Sequence, residues 1–137
     1  MMRTSKKLMV LMLILALTLM ACGTPVPDQA EEPRSAYQTL TAAEAKAMID
    51  GDGDIILLDV RTPEEFAEGY IPGAIQIADT DLKEQAPLQL TDKDAKILVY
   101  CRSGRRSQAS AALLAEMGYT QIYDMGGIID WPYETVK

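Results

Sequence analysis

One stretch of this chain carries a chemistry-bearing pattern, Tyr100-Cys101-Arg102-Ser103-Gly104-Arg105-Arg106-Ser107. It follows the apolar run Ile97-Leu98-Val99 and precedes the alanine-rich segment Ala109 to Met117, so a cysteine sits where a buried strand turns into a helix. Three arginines within five residues surround the thiol. Their positive charge attracts anions, and consecutive backbone N–H groups in a tight turn at a helix N-terminus cradle them. The same surroundings favour thiolate over thiol, and thiolate is the nucleophile. Cys101 is therefore the candidate nucleophile, facing an anionic sulfur or oxygen substrate. The competing reading is a cysteine that merely fills core space, a common fate of free cysteines. The six residues after Cys101 are all polar or glycine, which suits a cradle better than a core.

Cys101-Arg102-Ser103-Gly104-Arg105-Arg106-Ser107 closing a strand resembles the active-site loop of the rhodanese family, sulfurtransferases that carry sulfane sulfur as a cysteine persulfide. Asp59-Val60-Arg61-Thr62-Pro63-Glu64-Glu65-Phe66 and Gly69-Tyr70-Ile71-Pro72-Gly73-Ala74 resemble that family's two other recurrent motifs, and Met125-Gly126-Gly127-Ile128-Ile129-Asp130-Trp131 its closing segment. The resemblance spans Tyr37 to about Tyr133. It implies a Cys101 persulfide held by the loop Arg102, Ser103, Gly104, Arg105, Arg106 and Ser107. It further implies a small anionic sulfur donor such as thiosulfate or a polysulfide, a cyanide or thiol acceptor, and no cofactor or metal. Arg102 and Arg105 are expected to orient the donor's oxyanion, a task suited to guanidinium forks; Arg106 is expected to face solvent or an acidic neighbour. Tyr70 departs from the pattern, because the family often has histidine there and this chain contains none. A persulfide mechanism tolerates that, needing only a stabilised thiolate.

Two other readings stay in view. A cysteine phosphatase or arsenate reductase also sets a cysteine loop between strand and helix, but it clamps phosphoryl oxygens with an arginine six residues after the cysteine, where this chain has Ser107. A lipid-tethered sulfur carrier or binding module that uses the fold without turnover is the non-enzymatic alternative.

The elements that must position these residues follow from periodicity and caps. Ile55-Ile56-Leu57-Leu58 is a continuous apolar run ending at Asp59, as in a parallel strand covered on both faces. Thr62-Pro63-Glu64-Glu65 starts a short helix, with Pro63 at its first position and Gly69 at its end. Asp59 and Arg61 are expected to form a structural ion pair rather than to act in catalysis. Earlier, Tyr37 to Leu40 reads as a strand and Thr41-Ala42-Ala43-Glu44 as a capping box before a helix over Ala45 to Ile49. Gly51-Asp52-Gly53-Asp54 reads as a turn, lacking the distant glutamate of a calcium loop. Further on, Ala74 to Ile77 is a strand, Asp79 to Leu90 a polar connection with one helical turn, and Lys96 to Tyr100 the strand delivering Cys101. A helix over Ser107 to Met117, stopped by Gly118, precedes a strand over Tyr119 to Tyr123 and a loop over Asp124 to Gly127. Ile128 to Tyr133 is a final short helix cut by Pro132, and Trp131 is expected to cover core rather than line a pocket. The alternation gives an α/β class, rhodanese-like, with a mostly parallel central sheet of about five strands flanked by helices. Its ligand site lies at the strand C-termini.

Composition bounds the rest. With 137 residues, 48% of them hydrophobic, the chain is the size of one domain. Met1 to Lys7 is basic, and the 14 uncharged residues Leu8 to Ala21 fall short of the roughly 20 that span a bilayer. Residues 1–21 therefore read as a signal peptide, with a retained membrane anchor as the rival. Leu19-Met20-Ala21-Cys22 resembles a bacterial lipobox, Met20 being less usual, which makes Cys22 the lipidation site. Residues 22–36, with Pro25, Pro27 and Pro33 among acidic residues, read as a tether, and residues 37–137 as the rhodanese-like domain. The expected place is the extracytoplasmic membrane face, held by a lipid anchor. A lipidated Cys22 leaves Cys101 without a disulfide partner. Five of the 8 methionines fall in the leader, so no metal-binding methionine cluster is indicated. Past residue 21, 20 acidic residues stand against 10 basic ones, which disfavours nucleic acid as a partner.

Overall fold

The computed structural model describes residues 36–51 and 53–137. The expected leader, Cys22 and nearly all of the tether lie outside the described residues, as does Asp52. Strands β1 (Gln38–Thr39), β2 (Ile55–Asp59), β3 (Ile75–Gln76), β4 (Lys96–Cys101) and β5 (Gln121–Gly127) form one sheet in the order β1-β5-β4-β2-β3. Every neighbouring pair is parallel, as expected from the alternation of strand and helix. Parallel neighbours need crossovers, and helices α1 (Ala42–Asp50), α2 (Pro63–Glu68), α3 (Leu82–Gln89) and α4 (Arg105–Glu116) lie along these connections. Both expected capping boxes are formed, Thr41 with Glu44 and Thr62 with Glu65.

Alternation along β4 sorts its side chains to the two faces of the sheet. Ile97, Val99 and Cys101 join one core with Leu82 and Ala86 of α3 and Ala111 and Leu114 of α4. Leu98 and Tyr100 join the other with Ala45 of α1, Met125 and Trp131. On α4 the buried positions are Ser107, Ser110, Ala111 and Leu114, a stripe at helical spacing whose small members let the helix lie close on the sheet.

Several boundaries differ from expectation: α1 runs Ala42–Asp50 in place of the expected Ala45 to Ile49, β1 and β3 are two residues long instead of four, and β5 starts at Gln121 instead of Tyr119. The segment Asp79 to Leu90 holds a full eight-residue helix, α3. Leu82, Ala86 and Leu90 recur every fourth residue and are each at most 1% exposed, and this burial outweighs Pro87, which offers no N–H to the Lys83 carbonyl. β5 runs on to Gly127 through the segment expected to loop, because the buried Asp124 finds a hydroxyl partner in Ser107. α4 begins at Arg105 instead of Ser107, since Gly104 at φ 100° turns the chain from strand to helix within three residues. After β5 the chain makes only a 3-10 turn, Ile128–Asp130, in place of a helix to Tyr133. Trp131, 9% exposed, closes the second core as expected and also walls a cavity of about 170 Å³ with Ile49, Ile71 and Pro72.

Candidate active site

Because the sheet is parallel, the ends of β2, β4 and β5 meet at one edge, the usual site edge of such folds. The odd-numbered face of β4 carries α4, so alternation puts the Cys101 thiol at the N-terminus of that helix. Cys101 is 1% exposed, and its Sγ accepts the Gly104 N–H at 3.0 Å. Gly104 occupies the left-handed region as the N-cap of α4, a conformation a side chain would strain. The positive end of a twelve-residue helix therefore faces the sulfur.

The loop residues singled out from sequence divide into two groups. Arg102, Ser103 and Arg105 are exposed, and no acidic side chain among the described residues forms an ion pair with either arginine. Arg106 points back, donating twice to the Glu65 carboxylate at 2.8 Å each, which matches the acidic neighbour expected for it. The hydrogen bonds from Arg106 hold the Glu65 carboxyl down to about 2, and the pairing raises the affinity of Arg106 for its proton. The Ser107 hydroxyl is buried, donating to Asp124 Oδ1 at 2.7 Å with the Gly104 and Gly126 carbonyls at 3.0 and 3.3 Å. Its side chain is a tie between α4 and β5.

Asp59 and Arg61 form the expected ion pair, at 2.6 Å and wholly inside. The Arg61 guanidinium also donates to the Gly69 carbonyl at 2.7 Å, binding the end of β2 to the turn before Ile71. Burial opposes the charge on Arg61, but the hydrogen bonds and negative charge of Asp59 outweigh it and strengthen its hold on the proton. Tyr100, one residue before the cysteine and on the opposite face, accepts the Ile71 N–H at 3.1 Å, and burial pushes its hydroxyl pKa up. Tyr70 stacks on Phe66 with ring centroids 4.1 Å apart.

Sequence reasoning gave Glu65 only a capping role and gave Asp124 none. A lone acid inside an apolar run, as in Tyr123-Asp124-Met125, was the available signal for the second. The assembled site, a sulfur at a helix N-terminus in a loop that carries two exposed arginines, is fitted to receive an anion.

Residues 41–132 match the rhodanese-like domain family. The chain is 38% identical over 96 residues to the putative sulfurtransferase YtwF of Bacillus subtilis, covering 70% of this chain and 91% of the relative. It is 38% identical over 80 residues to the thiosulfate sulfurtransferase PspE of Escherichia coli, covering 58% and 77%. Longer proteins named tRNA uridine(34) hydroxylase also match, that of Erwinia tasmaniensis at 31% identity over 77% of this chain but only 31% of the relative. Among solved structures, a rhodanese with anions from E. coli superposes with a TM-score of 0.58 at 36% identity, covering 61% of this chain and 99% of that one. By fold, by motif and by kinship with proteins named as sulfurtransferases, the chain belongs to the rhodanese-like domain family.

Proposed function

We propose that this domain transfers sulfane sulfur from thiosulfate or a polysulfide to cyanide or a thiol through a persulfide on Cys101. The Cys101 thiolate attacks the outer sulfur of thiosulfate, the S–S bond breaks, and sulfite leaves with the bonding pair. Cyanide then attacks the outer persulfide sulfur, thiocyanate departs, and the thiolate returns, a ping-pong cycle in which no proton need be moved by an imidazole. The observation that carries this reading is the Gly104 N–H on Cys101 Sγ at the head of α4, which favours negative charge on that sulfur and suits it to act as the nucleophile. The exposed Arg102 and Arg105 would receive the sulfonate oxygens. Ser107 in place of a phosphate-clamping arginine argues against phosphoryl chemistry, and the acidic balance of the chain argues against an RNA substrate. The test is thiocyanate formation from thiosulfate and cyanide by the full chain. Activity abolished by Cys101→Ser is the expected result, and a Cys101→Ser variant as active as the parent would refute the persulfide.

We also propose that a lipid on Cys22 holds the domain at the extracytoplasmic membrane face, supported by Leu19-Met20-Ala21-Cys22 following an apolar run. Metabolic labelling with a radioactive fatty acid should mark the parent chain and leave Cys22→Ser unmarked. A labelled Cys22→Ser variant would remove Cys22 from that role.

A further inference from the structure

The Cys101 loop does not stand alone. It lies on the segment from Asp124 to Ile129, through three separate contacts. Asp124, a carboxylate 6% exposed, takes the Ser107 hydroxyl at 2.7 Å and the Gly126 N–H at 3.1 Å, both on Oδ1. The Ile129 N–H donates to the Arg102 carbonyl at 3.2 Å. Gly127 lies so close beneath the loop that a Cβ there would fall 2.3 Å from the Arg102 oxygen and 2.6 Å from the Ser103 Cα. These contacts fall on the residues between and just after Cys101 and the start of α4. The pairing of β4 with β5 slips at this point, so that Cys101 comes to face Gly127.

A trans peptide points its carbonyl and its N–H in opposite directions. With the Arg102 carbonyl held by Ile129, the Ser103 N–H is turned away from this segment, and the Arg102–Ser103 peptide cannot flip without breaking that bond. Ser107, held by Asp124, fixes the first turn of α4 from the other side. Polar groups of the loop are thus committed to β5 and the turn after it, while the Gly104 N–H is turned to the sulfur.

We propose that Asp124 and Gly127 are positioning residues for sulfur transfer, setting the Cys101 loop into its anion-receiving shape before any donor binds. This rests on the sulfurtransferase reading above for its activity readout, and on geometry alone for its second readout. Asp124 acts through Ser107 as an acceptor at Oδ1, so an amide that keeps that oxygen keeps the function. Gly127 acts by the absence of a side chain.

The experiment uses the full chain and compares Asp124→Ala, Asp124→Asn and Gly127→Ala in two assays, with circular dichroism confirming that each is folded at the assay temperature. Displacing a reacting group by about 1 Å costs about a hundredfold in rate. Asp124→Ala and Gly127→Ala should each lower kcat/KM for thiosulfate about that much, while Asp124→Asn stays within about threefold of the parent. The second assay is the rate of Cys101 alkylation by iodoacetamide, which needs no sulfur transfer. It should change at least about threefold in Asp124→Ala and Gly127→Ala and remain at the parent value in Asp124→Asn, the size of a modest loss of fixed geometry. Parent values of both readouts in a folded Asp124→Ala, or an Asp124→Asn as impaired as Asp124→Ala, would overturn the proposal. If Gly127→Ala does not fold, the two Asp124 variants still decide it. A parent chain that makes no thiocyanate would refute thiosulfate and cyanide as its substrate pair, and the alkylation rates would then judge the positioning by themselves.

Discussion

At the end of β2, Arg61 is 5% exposed and fully engaged by Asp59 and the Gly69 carbonyl. At the end of β4, the adjacent strand, Arg102 and Arg105 are exposed with no such partner among the described residues. The residue type is the same and the strand ends are neighbours, so the difference lies in what the chain places within reach. Asp59 stands two residues before Arg61 on a fully buried strand end and closes that turn from within. The last residue of β4 is a cysteine and that of β2 a carboxylate, and the arginines after Cys101 remain available to an anion from outside. Arg106 is intermediate, joined to Glu65 of α2, so that one ion pair braces the open turn against the element following the closed one.

The largest effect that would sharpen this contrast is on stability at β2. Asp59→Asn leaves a buried guanidinium without its counter-charge and should cost about 3–5 kcal/mol in urea unfolding; a loss under about 1 kcal/mol would show the β2 turn to be less closed than it looks. Next comes the double variant Arg102→Ala, Arg105→Ala. It should leave unfolding within about 0.5 kcal/mol of the parent, as for exposed side chains. Its thiosulfate KM should rise at least about tenfold, or about 1.4 kcal/mol of lost binding. An unchanged KM would remove both arginines from donor binding.

The smallest effect concerns the brace. The folded Glu65 carboxyl protonates only near pH 2, against 4.5 for its ordinary value. The Arg106 pair is therefore fully stabilising above about pH 4.5 and its contribution falls away as the pH drops toward 2. Side chains 24% exposed are screened by solvent, so the effect is on the order of 1 kcal/mol. Glu65→Gln should be less stable than the parent at pH 7 by about that amount and nearly equal to it at pH 2.5. A difference that stays constant over this range would mean that the pair contributes through shape, not charge.

Much of this arrangement was legible because it is local. Thr41 with Glu44, and Thr62 with Pro63 and Glu65, announce their helices within four residues, and the apolar runs before Asp59 and Cys101 announce buried strands. The cysteine loop was legible for the same reason. What escaped was set by partners distant in sequence. Asp124 belongs to a strand only because Ser107, seventeen residues earlier, satisfies its carboxylate. Glu65 is a brace only because Arg106 lies 41 residues away. α3 was obscured by Pro87 and by polar residues on its exposed face, although Leu82, Ala86 and Leu90 kept the helical count.

The position of β5 also bears on how the protein is made. It is the last strand in sequence, yet it lies between β4 and β1, so a growing chain that has reached Cys101 can pair β4 only with β2, and β1 has no neighbour at all. Pairings between strands so far apart in sequence form late. Until β5 has paired, the segment that braces the cysteine loop is not in place, so the loop around Cys101 takes its final shape as one of the last events of folding.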